Sequence, residues 1–216
     1  MRPASGTAGP IYRPTRETSS SAPSEQSSSD LTPASGANTP EELSPSREAY
    51  LTAPPGQLSD PQIAAISDVA NNAEVEQAKI ARRKSSDPRV RNFADMMIAH
   101  HGKAKQDQAL VELRFDLTPA PSATSRQLGT DAANTLTLLR DADATDFDRV
   151  YIDSQVDAHQ KVLDTLDQDL IPNVRNEELK TLLQGIRPTV AMHLRRAREI
   201  QGQLAAGARS NLSEKR

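Results

Sequence analysis

Five side chains carry the metal chemistry this sequence can offer. Two histidines are adjacent in MMIAHHGKA (96–104), His159 and His193 lie further on, and Glu74 is the first of two glutamates in AEVEQAKIA (73–81). A neutral imidazole binds first-row transition metals through one ring nitrogen, and a buried carboxylate adds an oxygen ligand and a charge. The chain has no cysteine, so thiolate ligands, thiol catalysis and disulfides are excluded. It shows neither a serine-centred catalytic motif nor a glycine-rich phosphate loop. The chemistry within reach is that of one transition-metal ion, zinc, iron or copper, and the ligand types do not choose among them.

Whether those groups meet depends on the helices that carry them. A first helix opens at Ser59-Asp60-Pro61, a cap followed by proline in the first turn, and runs to about Lys84. Asp87-Pro88 opens a second in the same way, to about Leu113, and the short joint KSSDP (84–88) makes the two an antiparallel hairpin. FDLTPAPS (115–122) breaks the pattern, and a weaker helix follows over Ser125–Arg140. Thr145-Asp-Phe-Asp148 resembles a capping box and starts a third long helix, to about Asp169; Asn176-Glu-Glu opens a fourth, in which Pro188 lies opposite the apolar stripe and predicts a kink rather than an end. No stretch alternates like a half-buried strand. The fold class is all-α: a bundle of four long helices with a short extra helix in the crossover after the second.

Counting about 100° per residue places the side chains. On the second helix the stripe Val90, Phe93, Met97, Ala104 and Val111 takes in His101 and leaves His100 at the rim. His159 falls among Ile152, Val162, Leu163 and Leu166, and His193 among Ile186, Val190, Ala197 and Ile200. Glu74 sits in the arc of Ile63, Ile66, Ala70 and Ala81, whereas Glu76 points away. Each long helix thus aims one metal-competent group inward: Glu74, His101, His159 and His193. Burying any of them alone is costly, so the four are expected to be satisfied together by a metal ion. The competing reading makes each histidine a core residue bonded to a main-chain carbonyl, and Glu74 a half-exposed partner of an arginine. Height along the bundle weighs on one member. Glu74 and His101 lie 12 and 15 residues from Ser86, level within about 5 Å, but His159 and His193 lie 14 and 20 from Asn173, about 9 Å apart in height. His193 is the ligand that this count favours least.

Composition narrows the partners. Residues 1–57 hold 9 prolines and 11 serines with no hydrophobic period, a segment expected to be a disordered tail. The bundle domain is expected over 58–206, followed by a flexible C-terminus at 207–216. Net charge is −3, and the chain beyond the tail is close to neutral with few aromatics, which argues against nucleic acid. RRKSSDPRVR (82–91) reads as a solvated helix end. No apolar run approaches the roughly 20 residues of a membrane span. Met1 is followed by RPASGTAGP, with no apolar export signal in the chain as written.

Four blocks, AEVEQAKIA (73–81), MMIAHHGKA (96–104), FDRVYIDSQVDAHQ (147–160) and RPTVAMHLRRA (187–197), carry a resemblance. In order and spacing they resemble the bacterial domain of unknown function 4142 family, over about residues 58–206. The resemblance implies a ferritin-like bundle, with Glu74, His101, His159 and His193 as the matching interior polar positions beside Phe147, Asp148 and Tyr151. It implies no reaction. Members are often exported, which implies the periplasm or envelope; the chain as written implies the cytoplasm. His100 departs from the pattern, which usually has an acidic residue there, and reads as a rim ligand or a surface change.

The ferritin-like name invites a di-iron centre, but such a centre draws Glu-x-x-His from each of two helices. Three residues before His101, His159 and His193 stand Ile98, Val156 and Val190. Ferroxidase chemistry is therefore disfavoured. The expectation is a bundle that binds a single metal ion in a storage, sensing or structural role; the alternative is a metal-free helical interaction module tethered by its tail in the cell envelope. The sequence identifies no catalytic residue and no protein partner.

Overall fold

The computed structural model describes residues 51–54 and 56–214, so the Ser/Pro-rich segment expected to be disordered lies almost wholly outside the described residues. Five α-helices are found there, α1 (Asp60–Lys84), α2 (Pro88–Phe115), α3 (Ala123–Asp141), α4 (Phe147–Thr165) and α5 (Glu177–Glu214), and a π-helical turn, Leu166–Leu170, extends α4. The described residues contain no strand. None of these helices is long and apolar enough to cross a membrane.

Local chemistry sets the helix ends. The Asp87 carboxylate accepts from the N–H of Arg89 at 2.8 Å and caps α2. Ser122 and Ser125 cap α3 reciprocally, each backbone N–H donating to the other's hydroxyl, at 2.8 and 3.0 Å. Asn176 Oδ1 accepts from the N–H of Leu179 at the head of α5. α2 stops at Asp116, whose φ of 49° puts it in the left-handed region that aspartate visits more readily than most residues. Pro188 and Gln184, whose carbonyl lacks its helical N–H partner, are both exposed, and α5 continues through them.

Long-range bonds set the helix directions. The N–H of Ala120 donates to the carbonyl of Pro61, which joins the approach to α3 to the first turn of α1. Lys84 Nζ donates to the carbonyls of Leu139, Arg140 and Ala142, which joins the two far ends. The same ammonium lies 5.1 Å from the Phe147 ring centroid, so α4 begins at that end and returns. Asp60 then accepts from the N–H groups of Arg175 and Asn176, at 2.9 and 2.6 Å, and fixes the start of α5 beside the start of α1. Two antiparallel pairs, α1/α2 and α4/α5, are thus linked by a crossover that runs the length of the bundle, the connectivity of ferritin-like folds.

Two details differ from the sequence reading. The Thr145–Asp148 capping box does not form: the residue at the N-cap is Asp146, already helical and making no side-chain cap bond, and with the N–H groups of Asp146 and Phe147 on the Asp143 carbonyl the chain enters α4 from a helical turn. The last turn of the third long helix is π rather than α, with the Ile171 N–H reaching the Leu166 carbonyl at 3.0 Å. That wider turn carries Leu166 and Leu170, both buried.

The apolar core falls into two clusters. One gathers Ala78, Phe93, Met97, Phe147, Tyr151, Ile152 and Ile200. The other gathers Ile63, Ile66, Leu163, Leu166, Leu179, Leu183 and Leu194. On α1, α2 and α4 the stretch between the two clusters carries buried polar residues, among them Asn71, Glu74, His101, Gln155 and His159; His193 joins them on α5, where the two clusters meet.

Candidate metal centre

His101, His159 and His193 come together in that polar layer. One ring nitrogen of each lies within 4.8 Å of those of the other two, and all three residues are buried. The ring centroids form a near-regular triangle, 5.7 Å between His101 and His159 and 5.2 Å on the other two sides. Nitrogens bound to one zinc ion at ~2.0–2.1 Å stand roughly 3.3 Å apart, so the triad is near coordinating geometry and would need to tighten to reach it.

The hydrogen bonds orient each ring. His159 Nδ1 lies 2.9 Å from the Gln155 carbonyl, which can only accept, so Nδ1 is the donor there and Nε2 is the nitrogen left for a metal. His101 Nδ1 lies 2.8 Å from Asn71 Oδ1, whose amide nitrogen is turned to Ser67 Oγ, and the same conclusion follows. His193 Nε2 lies 2.8 Å from Nδ1 of the exposed His100. The nitrogens left over, Nε2 of His101, Nε2 of His159 and Nδ1 of His193, are buried and have no hydrogen-bond partner. Metal-bound histidines characteristically donate their second ring nitrogen to a carbonyl or carboxylate, as His159 does here.

Electrostatics keep two of the rings neutral. Burial lowers the pKa of His101 to about 3, with His159 and His100 adding to the effect. Burial likewise lowers His193 to about 2, helped by His101, His159 and His100. Neutral imidazoles are the form that binds metal.

Glu74 stands outside the triad's mutual reach. It is 5% exposed, its Oε2 has no hydrogen-bond partner, and it lines a cavity of about 430 Å³ together with His101 and His159. Tyr151 belongs to the same surroundings: burial first, then the Glu74 carboxylate, pushes its phenol well above the usual range, and its hydroxyl is also without a partner. Three histidine nitrogens and one Glu74 oxygen, each costing ~1–3 kcal/mol when buried unpaired, are thus orphaned in one layer, with the Tyr151 hydroxyl a fifth such atom.

The expected height problem does not arise for His193. Counting from the second hairpin's joint assumed that both helices leave it at one level. Asp60 instead ties the head of α5 to that of α1, and Glu74 and His193 then lie 14 and 16 residues along two parallel helices. Asn71, Gln155 and the bond from His100 are additions that the sequence reading missed. Spacing held a signal for the first two: Asn71 is one turn before Glu74 and Gln155 one turn before His159, on the same faces.

No curated protein and no solved structure matches this chain. The family comparison does return a match, over residues 44–200, a span that takes in all four motif blocks and every residue of the polar layer. The chain belongs to the domain of unknown function family DUF4142.

Proposed function

We propose that the bundle binds one transition-metal ion through His101, His159 and His193, with Glu74 beside the fourth position as a nearby negative charge. The observation that carries this reading is the meeting of three buried histidines, each offering one ring nitrogen within 4.8 Å of those of the other two and each holding a buried ring nitrogen with no hydrogen-bond partner. Three protein ligands and an open position are the pattern of zinc sites that exchange a ligand, whereas a fourth protein ligand would close the site for a structural role. Lone pairs facing one another in a dry interior are mutually repulsive and cost hydration. A cation turns that cost into bonding.

Metal analysis of full-length protein purified without a histidine tag tests the reading. After incubation with zinc, cobalt(II) or iron(II) and desalting, close to one ion per chain is expected. The His101→Ala and His159→Ala variants are expected to retain far less. EDTA should lower the melting temperature of the loaded protein. Sub-stoichiometric metal under saturating conditions, with a melting temperature indifferent to zinc and EDTA, would leave a metal-free helical module in its place.

A further inference from the structure

We propose that the cavity beside the centre receives a small amphiphile, an apolar chain ending in a carboxylate or similar anionic oxygen donor, whose head group takes the fourth position on the metal. The inference rests on the metal-binding reading above and adds to it the class of molecule bound.

The shape and lining of the cavity point to this class. At about 430 Å³ it falls within the ~300–1,000 Å³ range of small-molecule sites. Its walls are Ile66, Leu128, Val162, Leu166, Ile186 and Val190, contributed by α1, α3, α4, the π-helical turn and α5. The donors Glu74, His101 and His159 line the same cavity, and each has an orphaned buried atom. An apolar sleeve with unpartnered polar atoms in one part fits a molecule with a tail and a head.

Charge selects the head. The one cationic side chain on the lining is Lys161, which is already paired with Asp131. An anion in the cavity therefore finds its counter-charge only at the centre. Imidazoles bind a metal in their neutral form, so three of them and one carboxylate would leave a divalent ion a residual single positive charge, which an anionic oxygen donor cancels. Without the ion, Glu74 repels the same head group. Binding of the amphiphile is thus conditional on the metal, while the tail contributes through the walls.

Octanoate, with acetate as the tail-less control, tests this on the full-length chain loaded with cobalt(II). Octanoate is expected to change the visible absorption bands of the bound cobalt, to bind at least tenfold tighter than acetate, and to bind the metal-free chain at least tenfold more weakly. Leu128→Trp and Val162→Phe, two independent ways to fill the sleeve, should each weaken octanoate at least tenfold and leave cobalt stoichiometry at the wild-type value. Full cobalt loading with octanoate no better than acetate overturns the proposal and leaves the metal centre standing, as does octanoate binding unchanged in both variants. A wild-type chain that takes up no cobalt overturns the centre itself, and the amphiphile site with it.

Discussion

Nδ1 of His100 lies 2.8 Å from Nε2 of His193, and the two rings stack 5.1 Å apart with 20° between their planes. One ring is exposed and the other fully buried, so this contact connects the centre to the surface. It fixes which nitrogen of His193 faces inward. Losing such an orienting partner typically costs 10–100-fold in metal affinity. His100→Ala is expected to weaken metal binding by about that factor in a competition titration against a chelator. His100→Gln, whose amide oxygen can accept from His193 Nε2, should recover most of the loss. Equal affinity in all three proteins would show that the contact does not orient the ring.

His159→Leu separates binding from folding. The substitution removes an orphaned Nε2, and the Gln155 carbonyl keeps its helical N–H donor. The metal-free protein should therefore be as stable as the parent or up to about 2 kcal/mol more stable in chemical denaturation. Metal uptake should be lost. A destabilisation of about 3 kcal/mol or more would instead mark His159 as a structural core residue.

Acid should weaken the metal-free fold through His101 and His193. Burial holds their folded-state pKa values at about 3 and about 2, below the ordinary 6.5 of an unfolded chain. Between those limits the unfolded state binds protons that the folded state refuses. The contribution is complete above about pH 6.5 and is lost as the pH falls toward 3. Two such groups give a slope of up to ~2.7 kcal/mol per pH unit once both are charged in the unfolded state. Denaturation midpoints at pH 8, 6.5, 5.5 and 4.5 should be flat over the first interval and fall over the others. The fall should be about half as steep in His193→Leu; an undiminished slope would assign the acid sensitivity to other groups.

Asp60 is fully buried and accepts two backbone N–H bonds from the segment leading into α5. Removing the carboxylate leaves two donors unpaired. Asp60→Ala should cost about 2–4 kcal/mol by chemical denaturation. It should also weaken metal binding although it lies 14 residues from Glu74, because the start of α5 sets the height of His193. Unchanged metal affinity in a folded Asp60→Ala protein would show that the height is set elsewhere.

The sequence carried the helices and the inward faces well, because 3.6-residue periodicity and Pro-marked starts are local signals. Val90, Phe93, Met97 and His101 fall on one stripe by spacing alone, and all four are buried. Which groups meet is another matter. Distance between helices depends on where each begins, and the α5 start is fixed by Asp60, 115 residues away from Arg175 in the chain. That is why His193 read as the weakest member and now sits in the triad, while Glu74 stands beside it. The π-helical turn was hidden for a similar reason: Leu166 and Leu170 fit an ordinary helical spacing.

The crossover helix α3 covers part of the cavity beside Glu74 with Thr124, Gln127 and Leu128, yet of its own nineteen residues only Ser125 and Leu139 are buried. Segments that bury little of themselves detach at lower free energy than the walls they lean on. For the proposed amphiphile the expected way in therefore lies under this strut, since raising it would leave both hairpins intact.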